Sequence, residues 1–186
     1  MPKGSSGYSG GTWEGESSGG NSRPMNIQLA GTSVMRDIAN ALSRGATEFP
    51  EIRSYANISE IREGNFRDGT LGTIDNHGRI TVQRGLPSGG GQNSREWVAA
   101  HEVGHGLTRN PPQGYRTAEQ TMQAATREYN RGRATGRLTQ AGLAGRVSTY
   151  ARKSPREAVA EAFADWTING RNARIESQII MRNWRR

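Results

Sequence analysis

The pentapeptide His101-Glu102-Val103-Gly104-His105 constrains this chain more than any other feature of it. At 3.6 residues per turn, two imidazoles four positions apart project from one helical face, one turn above the other. Their ring nitrogens can then approach a single metal ion at ~2.0 to 2.1 Å, while Glu102, beside that face, can reach a water without ligating the metal. The geometry holds only if the segment is a helix, and its flanks say that it is. Asn93 reads as an N-cap with Glu96 three residues on, Trp97, Val98, Val103 and Leu107 recur at helical spacing, and Asn110-Pro111-Pro112 ends the run.

Two imidazoles do not hold a metal tightly, so a third ligand is needed. The chain has three histidines and no cysteine, and the one histidine outside the motif, His77, lies in a turn that precedes the helix. A carboxylate is therefore the expected third donor. Glu157, Glu161 and Asp165 are spaced i, i+4, i+8 and form one stripe on a later helix. Glu157 also has a purely structural explanation: Ser154-Pro155-Arg156-Glu157 has Ser at the N-cap, Pro at N1 and Glu at N3.

The length of 186 residues fits one domain with tails. Residues 2–23 are mostly Gly and Ser and cannot bury enough surface to offset their ordering entropy, so residues 1–24 are expected to be a flexible arm. Residues 25–170 are the expected catalytic domain and 171–186 a basic amphipathic C-terminal helix using Ile175, Ile179 and Trp184. No apolar run approaches the ~20 residues of a membrane span, and no signal-peptide core stands at the N-terminus, so the expectation is a soluble protein without membrane contact.

The net charge of +8 is lopsided: residues 113–186 carry 14 Lys and Arg against 6 Asp and Glu, whereas the preceding residues balance. Only two of the basic residues are lysines, Lys3 and Lys153. Arginine forks suit carboxylate or phosphate, so the basic half could meet an acidic partner surface. Specific nucleic-acid binding is not expected, because no groove-reading motif and no exposed aromatic series accompanies the arginines.

The remaining pattern predicts an α+β chain. A first helix is expected near Thr32, with Val34, Ile38, Ala41 and Leu42 at helical spacing, and residues 49–66 fit either helix or strand. Residues 71–74 and 79–84 are β-branched runs flanking Asp75-Asn76-His77-Gly78, a hairpin. Thr117 with Gln120 opens a helix carrying Met122, Ala125 and Tyr129, a short helix is expected around Gln140, and the Ser154 helix runs to Asn169-Gly170, burying Phe163 and Trp166.

The HExxH helix, followed about 45 residues later by Tyr150 and Glu157-Ala158-Val159-Ala160-Glu161-Ala162-Phe163, resembles the catalytic domain of anthrax lethal factor and its compact relatives in toxins, phages and mobile elements. The resemblance covers roughly residues 71–166. It implies a zincin-like fold, with a small mixed sheet packed on the active-site helix and a mainly helical C-terminal part. It implies zinc held by His101, His105 and Glu157, with Glu161 a carboxylate that supports the ligands and Tyr150 a tyrosine pointing at the metal.

The expected activity is that of a zinc metalloendopeptidase of gluzincin type on a protein or peptide substrate, with Glu102 as general base and Tyr150 as donor to the developing oxyanion. The 79–84 run, expected as the open edge of the sheet, would bind extended peptide, and Arg79 and Arg84 would favour acidic substrates. Two other readings compete: a basic nucleic-acid-binding or structural virion or mobile-element protein with a vestigial metal site, and zinc hydrolysis of a non-peptide bond.

Overall fold

The computed structural model describes residues 28–29, 42, 60–109 and 111–185. The Gly/Ser arm, most of the helix expected near Thr32, and residues 49–59 lie outside them; Leu42 of that helix is described, helical and buried.

The described chain is mixed α+β. Four strands, β1 Gln28–Leu29, β2 Glu60–Gly64, β3 Gly72–Ile74 and β4 Arg79–Gln83, form one sheet in the order β1-β2-β4-β3. β4 runs parallel to β2, with Ile61 opposite Ile80, and antiparallel to β3, with Ile74 opposite Ile80. The hairpin joining β3 to β4 forms as the sequence predicts. The Asp75 carboxylate accepts the backbone N–H groups of His77 at 2.8 Å and Arg79 at 3.0 Å, so the turn is closed by its own side chain.

The edge assignment is corrected. The Arg79 strand is paired on both sides, and the edge facing the HExxH helix belongs to β3. The misreading has a plain cause: β4, with Ile80 and Val82 fully buried, is the better strand former, and the sequence gives no sign that the three-residue β3 lies outside it.

Five helices follow: α1 Arg95–Arg109, α2 Ala118–Asn130, α3 Gln140–Val147, α4 Pro155–Asn169 and α5 Ile175–Trp184. Their caps explain their starts. Thr117 and Gln120 form a reciprocal capping box on α2, Thr139 accepts from the Gly142 N–H, and Ser154 accepts from the Glu157 N–H with Pro155 at the first position. The cap of α1 differs from expectation by one residue. Ser94 Oγ accepts the Trp97 N–H at 3.2 Å, Asn93 is left free of that duty, and Glu96 instead accepts from Ser88 Oγ at 2.7 Å.

The core lies on both sides of α1. One face of the helix covers β3 and β4, the other packs along α4. Helix α4 is apolar nearly all round, with Ala158, Val159, Ala162, Phe163 and Ala164 buried, because α1, α2 and α5 surround it. Trp166 is only half-buried. The C-terminal helix α5 packs into this same core through Ile179, Ile180, Met181 and Trp184, while Ile175 is 56% exposed. Asp165 anchors it. This fully buried carboxylate accepts from Ser177 Oγ at 2.6 Å, the Arg174 N–H at 2.9 Å and Asn169 Nδ2 at 2.7 Å. Asp165 thus leaves the stripe of Glu157 and Glu161 in function: its partners are Asn169 at the end of its own helix, Ser177 of α5 and the Arg174 N–H just before α5.

Candidate metal centre

His101 and His105 stand on consecutive turns of α1, and Glu157 and Glu161 on consecutive turns of α4. The two helices touch where Gly104 lies against Ala160. A Cβ built on Gly104 would stand 2.8 Å from Ala160 Cα, a separation that no side chain tolerates. This backbone-to-backbone approach brings short α4 carboxylates within reach of the α1 imidazoles.

The Glu157 carboxylate lies between the two rings, its Oε2 3.1 Å from His101 Nε2 and 3.1 Å from His105 Nε2. One donor atom from each of the three residues falls within 4.8 Å of the others. Donors ~2.0 to 2.1 Å from a tetrahedral cation are about 3.3 Å apart along each edge, so the two imidazole–carboxylate separations are close to those such an ion requires. The donor set, two neutral nitrogens and one carboxylate, suits a borderline-soft divalent metal.

Glu161 reaches the far side of His101. Its Oε1 is 2.8 Å from His101 Nδ1, in a bent approach outside hydrogen-bond alignment, and the same oxygen accepts Trp97 Nε1 at 3.4 Å. A carboxylate behind a ligating imidazole fixes the ring's orientation and raises its basicity. The three rings of the site also brace one another: His101 meets His105 edge-on at 4.6 Å and Tyr150 at 5.7 Å, and Lys153 Nζ sits 3.8 Å above the Tyr150 ring.

The charges follow from these contacts. Burial opposes an imidazolium at His101, but hydrogen bonding to Glu157 and the adjacent Glu161 outweigh it and hold the group up at about 9. Burial alone would raise Glu157, yet its hydrogen bonds with His101 and His105 bring it down to about 2. Glu102 is raised, first by burial, while the Ile74 backbone N–H donates to its carboxylate. Tyr150 is raised by burial and by the charges of Glu157, Glu102 and Glu161, so its hydroxyl keeps its proton.

A cleft of about 440 Å³ opens beside these groups, lined by His101, Glu102, Tyr150, Gly72, Asn93 and Val98 among others. Gly72 of the edge strand is the close neighbour of Glu102: a Cβ there would meet Glu102 Cγ at 3.2 Å and Val98 Cγ1 at 2.4 Å. Arg79 and Arg84 do not line this cleft. Both are exposed, and Arg79 is engaged by Asp75 at 2.7 Å. Tyr150 is 46% exposed, on the one-turn 3₁₀ helix Tyr150–Lys153 at the cleft mouth.

Sequence reasoning missed Trp97, Gly72 and the Gly104–Ala160 contact. The last had a legible signal: a small residue inside the HExxH turn and another between Glu157 and Glu161 are what two helices need to share a ligand set. Compared with protein-family models, curated proteins and solved structures, the chain matches none.

Proposed function

We propose that this protein is a zinc-dependent metalloendopeptidase with a zincin-like fold. The observation that carries the reading is the convergence of His101, His105 and Glu157 within 4.8 Å of one another, beside a cleft lined by His101 and Glu102. Zinc held by these three residues would act as a Lewis acid toward a peptide carbonyl and toward the attacking water.

The chain's own groups supply the rest. Glu102, raised by burial, is a stronger base than an exposed carboxylate and takes the proton of the attacking water, then passes it to the leaving amine. Tyr150, still protonated, donates its O–H to the carbonyl oxygen as negative charge develops there. Glu161, held by Trp97, keeps the His101 ring in place. An extended substrate lies along β3, whose outer edge is free among the described strands and whose Gly72 lines the cleft.

The test is a Glu102→Gln variant assayed together with its metal content. Gln is nearly isosteric but cannot accept the proton, so one zinc per chain is expected in both proteins and cleavage of a peptide library only in the parent. Variant activity within tenfold of the parent removes Glu102 as base, and a zinc stoichiometry near zero in both removes the reading altogether.

A further inference from the structure

Helix α2 and the loop after it line a second, open concavity of about 480 Å³, with Thr126, Arg127, Asn130, Arg131, Arg133 and Arg137 among its residues and no acidic residue in its wall. Arg127 and Arg131 near the C-terminus of α2 could be explained by the helix dipole alone. Arg137 cannot: it is six residues beyond Arg131, on a loop that turns back through Gly132 at φ 74° and Gly136 at φ 66°. The return is fixed by the Asn130 side chain, which accepts the Leu138 N–H at 2.9 Å and donates to the Leu138 carbonyl at 2.8 Å. Arg133 is fixed as well, its Nε bonded to the Tyr129 carbonyl at 2.9 Å and its guanidinium 4.3 Å above the Tyr129 ring.

Arg127, Arg131 and Arg137 are exposed, and among the described residues none has a hydrogen-bonded or ion-paired carboxylate. Glu128, next to them in sequence, is hydrogen-bonded to Arg182 and Asn183 of α5 and feels the Arg131 charge only at longer range. At the concavity's wall Thr126 Oγ1 is shut off from solvent without a hydrogen-bond partner. Like charges gathered around one concavity repel one another until an opposite charge is received among them.

We propose that this concavity is a docking site for an acidic polypeptide segment, whose Asp and Glu carboxylates are received by the guanidinium forks of Arg127, Arg131 and Arg137. A carboxylate-rich segment fits better than nucleic acid. The volume admits a few side chains rather than a duplex, and the one aromatic at hand, Tyr129, is 8% exposed and covered by Arg133, which leaves no platform for a base. The site is independent of hydrolysis, so binding is its readout.

The test measures fluorescence anisotropy of a labelled hexaglutamate peptide, and of a short labelled duplex DNA, at physiological salt. The proteins are the parent, an Arg131→Glu/Arg137→Glu variant, and Arg67→Glu/Arg171→Glu, which makes the same charge change at exposed positions outside the concavity; circular dichroism confirms that each is folded. The expected result is peptide binding weakened at least tenfold by the first pair and less than twofold by the second. Equal weakening by both pairs, no measurable peptide binding to the parent, or duplex DNA bound more tightly than peptide and lost with the first pair would overturn the proposal.

Discussion

Replacing Gly104 by alanine tests whether the helix contact sets the metal site. The new methyl would stand 2.8 Å from Ala160 Cα and 3.2 Å from Ala160 Cβ, where carbons ordinarily meet at about 3.5 to 4.0 Å. Neither helix can yield locally, since the atoms met are backbone and Cβ, so α1 and α4 must part by about 1 Å. Overpacking of this kind costs about 1 to 3 kcal/mol, offset by about 1 kcal/mol from the better helix propensity of alanine, for a net loss of up to about 2 kcal/mol. The melting temperature should fall by no more than about 8 °C. The effect on metal should be larger in proportion. Ligand distances tolerate only about 0.2 Å, and Glu157 lies one turn from the point of contact, so zinc affinity should drop at least tenfold. Thermal unfolding followed by circular dichroism, with a chromogenic-chelator competition for zinc, reads both. A variant that melts higher than the parent and binds zinc equally well would refute the claim that this contact positions the carboxylate.

Zinc added to stripped protein at pH 7 should release about one proton, because His101, held up at about 9, carries one that the metal must displace; the buffer dependence of the calorimetric heat measures it, and zero release contradicts the assignment. The same raised value stabilises the stripped protein fully below about 6.5, the unfolded value, and its contribution is lost as pH rises through 9; the lowered Glu157 contributes above its ordinary range and is lost as pH falls toward 2. Glu161→Gln should weaken zinc binding about 10- to 100-fold without unfolding the chain, by loosening His101 rather than removing a ligand. Asp165→Ala should cost about 3 kcal/mol in urea unfolding, since it strands Ser177 Oγ and the Arg174 N–H, while zinc stoichiometry stays unchanged.

The parts of this molecule that could be read in advance are those written in local chemistry. Thr117 with Gln120 and Ser154 with Pro155 mark helix starts because a side chain satisfies the helix's own unpaired N–H groups within three residues. The HExxH spacing likewise puts two imidazoles on one face whatever the rest does. What depended on a partner distant in sequence was not legible. Asp165 reads as a third member of the Glu157 and Glu161 stripe until Ser177, twelve residues on, is folded against it. Ser94 and Asn93 are equally good caps by composition, and the backbone's path out of the glycine-rich loop decides between them. Strand order has no local signature either: Ile80 and Val82 mark one apolar face of β4, and nothing in their pattern tells which strands pair on its two edges.

The brevity of β3 has a consequence for solubility. A free sheet edge is a template on which a second copy of a chain can add its own strand, and proteins that keep one open run the risk of self-association into fibrous aggregates. Here that edge is three residues long, begins at a glycine pressed against Val98 and Glu102, and turns at once through Asp75 into the interior strand. Three residues can form only a few ladder hydrogen bonds, enough for the extended substrate proposed for the cleft and too few to nucleate stacking of one molecule on another.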